Sequence, residues 1–144
     1  MRSSAVRCIY RFLTRISLSA TLLATTVPAS ANNTVGAGPG VNENNFSIRW
    51  TGQVEATATG TFQFQTRSNA GVRLWINGNL VIDNWNSHAT VNDATGNISL
   101  AKNQRYAITM EYYDTTGTAV AKLYWKRPGE TTFAIVPTTR LYAN

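Results

Sequence analysis

Apolar and polar residues alternate with a period of two along most of the chain after residue 45. The pattern is clear in residues 46–50, 61–65, 72–76, 106–112 and 119–125, where every second side chain is apolar. A period of two places successive side chains on opposite faces of a β-strand. No segment combines helical periodicity with a capping signal. The chain is therefore predicted to be all-β, an antiparallel sandwich or barrel.

Turn signals separate these runs. Asn77 and Gly78 follow the run 72–76 directly, and both residue types tolerate the positive φ angles of a tight type I′ turn. Residues 80–82 are therefore predicted to fold back onto 72–76 as a hairpin. Residues 46–144 are long enough for one domain with one core.

The first 31 residues have the features of a secretory signal peptide. Arginines without any acidic residue precede an apolar run, and residues 28–31 supply small residues suited to cleavage after Ala31. The run is too short to span a bilayer stably, so no membrane span is expected after cleavage. Residues 32–45 are rich in Asn and Gly and are predicted to be an irregular tail. The protein is expected to be secreted, periplasmic or on the cell surface.

The distribution of charge argues against nucleic acid as a partner. The whole chain has a formal net charge of +6, but four of its arginines belong to the predicted signal peptide. Nine basic residues then remain against seven acidic ones, and they are dispersed rather than clustered. The one cysteine, Cys8, also lies in the signal peptide, so no disulfide is expected.

Several segments resemble landmarks of the PA-fourteen (PA14) domain, a β-sandwich named after the anthrax protective antigen. They are residues 45–52, 71–78 and 80–85, followed by 110–113, 121–125 and 136–142. The resemblance covers about residues 45–142 and implies an antiparallel β-sandwich. It also implies a non-catalytic module of the kind found in adhesins, toxins and glycosidases, often binding sugars.

In the calcium-dependent lectins of that family, two consecutive aspartates and a residue of a second loop hold calcium. Here the corresponding residues are Asn69 and Ala70, and Asp114 falls near the second-loop position. One carboxylate and one amide make a poor site for a cation that needs several oxygens. Asn69 and Asp114 are thus only weak metal candidates, and no cofactor is expected.

A glycan or cell-surface polysaccharide is the expected partner, bound by loops 66–71, 84–97 and 113–118 at one end of the sandwich. The candidate ligand-binding residues combine planar amides, carboxylates and one aromatic ring that alternation turns outward: Asn69, Trp75, Asn84, Asn86, Asp93 and Asp114. Two alternatives stay open. Trp75 could pack on a neighbouring loop, and the loop amides could bond their own backbone.

The sequence offers little support for catalysis. His88 is the single histidine, it lies in a polar loop, and no motif supplies it with a nucleophile and an orienting acid. The chain is therefore predicted not to be an enzyme.

Family members carry an opening strand with aromatic residues ahead of the segment 45–52. Residues 32–45 contain no aromatic residue, so we hypothesise that the sandwich lacks this edge strand. An uncovered edge can pair with another chain. The alternative function is thus a structural module that pairs with a protein partner or a second copy, unless the tail covers the edge.

Overall fold

The computed structural model describes residues 29–30, 34–35, 46–93, 95–116 and 119–144. The predicted signal peptide (1–31) and tail (32–45) lie almost entirely outside these ranges, and their boundaries stay predictions. The strands within the described residues are β1 (Ala29–Ser30), β2 (Thr34–Val35), β3 (Phe46–Glu55), β4 (Gly60–Ser68), β5 (Val72–Ile76), β6 (Asn79–Asn84), β7 (Val91–Asn92), β8 (Gly96–Leu100), β9 (Arg105–Asp114), β10 (Ala121–Lys126), β11 (Ala134–Ile135) and β12 (Leu141–Tyr142). A 3-10 turn, Thr138–Arg140, precedes β12.

Two five-stranded antiparallel sheets make up the domain. The first sheet has the order β12-β3-β9-β5-β6. In the second, β11, β10 and β4 lie side by side, and β8 and β7 pair one after the other with the far side of β4. β1 and β2 pair with each other. The prediction of an all-β antiparallel sandwich is confirmed.

The predicted hairpin is also confirmed. β5 pairs with β6, and Trp75 lies opposite Leu80. Asn77 and Gly78 have φ angles of 51° and 76°, as a type I′ turn requires at both central positions.

The core lies between the inward faces of the two sheets. On the second sheet, the ring centroids of Phe62 and Trp125 are 5.6 Å apart. On the first sheet, Trp50 and Tyr112 stack with centroids 6.5 Å apart. All four side chains are at least 95% buried. The alternation seen in the sequence therefore corresponds to one buried face on each sheet.

The end of the chain and the polar segment 84–97 contain short elements. β11 and β12 have two residues each, and the 3-10 turn Thr138–Arg140 lies between them. The polar segment contains β7, which pairs with Arg67 and Ser68 of β4. The described residues include no helix that is long and apolar enough to cross a membrane.

One edge of the first sheet is only partly covered. β12 pairs with Gln53 and Val54 of β3, whereas β9 pairs with all ten residues of β3 on the other side. Within the described part of the chain, residues 46–52 have no strand on their outer side. The hypothesis of a missing opening strand concerns residues that lie mostly outside the described ranges, and it stays a prediction.

The two sheets approach each other closely where β8 passes β6. A Cβ atom added at Gly96 would overlap the backbone oxygen of Val81, and a backbone atom cannot move aside as a flexible side chain can. We expect Gly96→Ala to lower the free energy of unfolding by about 1–3 kcal/mol, measured by urea denaturation. Ser99→Ala, an exposed change on the same strand, is the control. Equal stability of Gly96→Ala and the unmodified protein would contradict this close approach.

Candidate functional site

The three loops expected to form a binding surface do share one end of the sandwich. Strand register brings Ser68 opposite Ala121 in the second sheet. In the first sheet, Val72 lies between Asn84 and Tyr112. The segments that follow β4, β6 and β9 are therefore neighbours, and we call this region the loop end.

A buried carboxylate anchors the longest of these loops. The side chain of Asp93 is fully buried, and its Oδ2 accepts hydrogen bonds from Thr66 Oγ1 at 2.9 Å and Ser68 Oγ at 2.8 Å. Its Oδ1 accepts from Asn84 Nδ2 at 2.7 Å. A buried charge is tolerated when hydrogen bonds satisfy it. Asp93 thus joins the end of the loop to β4 and to its own starting residue, Asn84.

His88 belongs to the same network. Its Nε2 lies 2.9 Å from Asn84 Nδ2 and 3.4 Å from Asp93 Oδ1. His88 Nδ1 lies 2.7 Å from the carbonyl oxygen of Ala89 and therefore carries the proton. Both ring nitrogens therefore contact groups of the same loop, so His88 contributes to the loop's structure.

A second polar network closes the neighbouring loops. Asn69 Oδ1 accepts from the hydroxyl of Tyr112 at 2.6 Å and from the backbone N–H of Val120 at 2.8 Å. Its Nδ2 donates to Asp114 Oδ1 at 3.2 Å. Asp114 is 1% exposed. Burial is the main cause that raises its pKa, and hydrogen bonds from Asn69 and Tyr112 oppose this shift.

This geometry does not suit calcium. The backbone N–H of Val120 fixes which amide atom of Asn69 is the oxygen, and that oxygen already accepts two hydrogen bonds. The amide nitrogen donates to Asp114 Oδ1, so Asn69 presents a donor rather than an oxygen ligand on the side of this carboxylate. The described residues contain no group of three or more His, Cys, Asp or Glu side chains able to hold a metal.

We expect millimolar calcium to leave the melting temperature unchanged, because Asn69 supplies a donor and Ala70 no ligand at all. Differential scanning fluorimetry with and without a chelator measures this. The double variant Asn69→Asp, Ala70→Asp restores two carboxylates and is expected to gain calcium affinity, at best in the ~10⁻⁴ to 10⁻³ M range. A clear calcium shift of the unmodified protein, abolished in Asp114→Ala, would contradict the prediction.

An aromatic pair lies beside the loop end on the outer face of the first sheet. The rings of Trp85 and Tyr113 meet edge to face with centroids 4.8 Å apart. The guanidinium of Arg73 lies 4.8 Å from the centre of the Trp85 ring. Tyr113 lies directly over Gly71, where an added Cβ would overlap its ring. Both aromatic rings are half-buried.

The remaining candidates divide into exposed and internal residues. Asn86 is exposed, and Trp75 is half-buried on the outer face, as alternation predicted. Asn69 and Asn84 are half-buried with their amides in the two internal networks. Asp93 and Asp114 are 2% and 1% exposed, so they present no carboxylate to solvent.

The sequence-based candidates did not include Trp85 or Tyr113. In the structure Trp85, the residue after β6, packs against Tyr113, the second-last residue of β9. The signal available in the sequence was Gly71, since a glycine at the start of β5 leaves room for a ring on the neighbouring strand.

Together these features define an antiparallel two-sheet sandwich with anchored polar loops at one end. A model of the PA14 domain matches residues 20–139. The chain belongs to the PA14 domain family.

Three similar proteins illustrate the range of this family. Anti-sigma-I factor RsgI3 of Acetivibrio thermocellus is 37% identical over 102 residues, which are 71% of this chain and 16% of that protein. A solved anti-sigma factor domain-containing protein is 35% identical with a TM-score of 0.70, covering 76% of this chain and 37% of its own. The PA14 sugar-binding domain from an RTX adhesin has a TM-score of 0.59 at 20% identity, covering 68% of this chain and 54% of that one. The adhesin domain shares the fold, and the chain spans only part of each of these proteins.

Proposed function

We propose that this PA14 domain is a non-catalytic carbohydrate-binding module that contacts a glycan at the loop end. The observation that carries the proposal is the half-buried pair Trp85 and Tyr113 beside the exposed Asn86. Aromatic rings stack on the apolar faces of sugars, and an adjacent amide can donate to and accept from sugar hydroxyls.

The internal networks support this proposal by making the loop rigid. Asp93 ties both ends of the loop together through Asn84 and β4. A loop that is already ordered loses less conformational entropy on binding, so more of its contact energy appears as affinity. In this proposal Asn69, Asn84, Asp93 and Asp114 position the loops, and Asn86 makes contact.

Trp75 extends the proposed surface along the sheet. It is the next residue after Arg73 on the outer face of β5, about 7 Å further along the strand. Arg73 itself packs on Trp85. A glycan lying along β5 could therefore contact Trp85 and Trp75 in turn.

The known sugar-binding adhesin domain of the same fold adds support for a glycan as the ligand. Export to the cell surface or medium, inferred from residues 1–31, would bring the module to extracellular polysaccharides. The proposal includes this location.

A glycan array followed by titration calorimetry tests the proposal. We expect Trp85→Ala to weaken binding of a neutral glycan about tenfold, because one stacking ring is lost. Tyr142→Ala removes a half-buried ring from β12, at the opposite edge of the first sheet from β6, and is the matched control, expected to leave that affinity unchanged. Melting temperatures of both variants separate lost contacts from lost folding. Absence of any glycan ligand, or unchanged binding by a folded Trp85→Ala, would refute the proposal.

A second candidate function is pairing with a protein strand along β3. Within the described residues, β12 covers only Gln53 and Val54 on the outer side of β3. The backbone groups of residues 46–52 could accept a strand from a partner or a second copy.

Sedimentation velocity over a wide concentration range tests this second candidate. We expect concentration-dependent dimers if the edge is open. Arg49 lies in the middle of the edge. A proline there would also disturb the pairing with β9, so the variant used is the milder Arg49→Glu. Lys102→Glu, in an exposed turn, is its control. A protein that stays strictly monomeric at high concentration would contradict self-pairing at this edge. The edge would then be covered by the tail 32–45 or remain unpaired.

A further inference from the structure

Charged residues are arranged differently on the outer faces of the two sheets. On the first sheet, cross-strand register aligns Arg49, Glu111, Arg73 and Asp83 in one row. Arg49 Nε lies 2.7 Å from Glu111 Oε1, and Arg73 Nε lies 2.9 Å from Asp83 Oδ1. Each charge in this row therefore has an opposite charge beside it.

On the second sheet, two positive charges lie directly opposite each other. Lys122 of β10 is the cross-strand partner of Arg67 of β4, and on its other side Arg67 is paired with Asn92. Like charges in directly opposed positions destabilise a sheet. Neither Lys122 nor Arg67 forms an ion pair with any carboxylate of the described residues.

The acidic residues of the described part of the chain lie elsewhere. Glu55, Asp83 and Glu111 belong to the first sheet, Asp93 and Asp114 are buried, and Glu130 pairs with Arg127 in the turn after β10. The outer face of the second sheet thus carries unopposed positive charge. No carboxylate of the described residues balances this charge.

The rest of this face is suited to a sugar chain. Tyr124 lies between Lys122 and Lys126 on β10, which are about 13 Å apart along the strand. Gln65 is the cross-strand partner of Tyr124, and Gln63 is the partner of Lys126. The face therefore offers one ring for stacking, amides for hydroxyl groups, and cations on both sides.

We propose that the outer face of the second sheet binds an acidic polysaccharide, with a sugar carboxylate between Arg67 and Lys122. The guanidinium of Arg67 can form two parallel hydrogen bonds with a carboxylate, and Tyr124 stacks on a neighbouring sugar. Lys126, which lies 5.3 Å from the centre of the Phe133 ring, meets a second carboxylate further along the chain. Arg67 and Lys122 lie beside the loop end, but on the outer face of the second sheet, whereas Trp85 lies on the outer face of the first sheet, so binding here does not depend on Trp85.

A polysaccharide fits this face better than a nucleic acid does. Single-stranded nucleic acid is usually bound by several successive stacking rings in a continuous positive groove. Here one ring is flanked by neutral amides, and the cations occupy separate rows of the sheet. Spaced carboxylates on a hydroxyl-rich chain match that pattern.

Affinity electrophoresis of the purified protein in gels containing alginate, a polymer of uronic acids, tests the proposal. We expect retardation by alginate but not by dextran, a neutral polymer, and loss of retardation as salt rises. Arg67→Gln and Lys122→Gln should each weaken alginate binding roughly fivefold. Lys102→Gln removes the same charge from an exposed turn at the opposite end of the sandwich and should have no effect.

Three results would overturn the proposal. They are absence of alginate binding, an equal loss in Lys102→Gln, and binding of a single-stranded DNA oligonucleotide as tight as that of alginate. The loop end is tested separately, because Trp85→Ala should leave alginate binding intact and Lys122→Gln should leave neutral-glycan binding intact.

Stability provides an independent measurement. Lys122→Glu places an opposite charge beside Arg67 and should raise the melting temperature by about 1–5 °C while it weakens alginate binding. A lower melting temperature in this variant would mean that the opposed positive charges do not repel in the free protein, which would remove the basis of the proposal.

Discussion

Burial of one face of each sheet is the constraint on which the whole domain depends. The rings of Phe62 and Trp125 from one sheet and of Trp50 and Tyr112 from the other fill the space between the sheets. Because successive residues of a strand point to opposite faces, this core fixes which side chains remain outside. The residues of the outer faces do not form this core, so they are less constrained by folding and can serve other functions.

Two connected networks of buried polar groups lie at the loop end, whereas Trp50 Nε1 and Thr57 Oγ1 are buried without a hydrogen-bond partner among the described residues. Asp93 is satisfied by two hydroxyl groups and an amide, and Asp114 contacts Asn69 and Tyr112. Truncating one partner of such a buried group leaves the other without a hydrogen bond, which is more costly than the bond itself is favourable. The loops are therefore held by buried hydrogen bonds, and removal of one partner would destabilise the protein by more than the bond itself contributes.

Local patterns in the sequence determined most of the fold but little of the site. Alternation and the Asn77-Gly78 turn depend on neighbouring residues, so the strands and the hairpin could be predicted. Asp93 is buried because Thr66 and Ser68, 27 and 25 residues earlier in the chain, reach it. Its surroundings suggested an exposed loop, since the pairing of β7 with β4 was not visible in residues 84–97. The contact between Trp85 and Tyr113 likewise depends on long-range register.

Charged side chains are compensated differently at the loop end and on the outer face of the second sheet. At Asp114 the chain supplies its own donors to Oδ1, the amide of Asn69 and the hydroxyl of Tyr112, while the buried Oδ2 has no hydrogen-bond partner among the described residues. Among the described residues no carboxylate pairs with Arg67 or Lys122, whereas Glu111 and Asp83 pair with the arginines of one row of the first sheet. Local rules of stability are most often broken where function requires it. The pair Arg67 and Lys122 is therefore a stronger indication of a ligand site than the loop end, although the family resemblance points to the loop end.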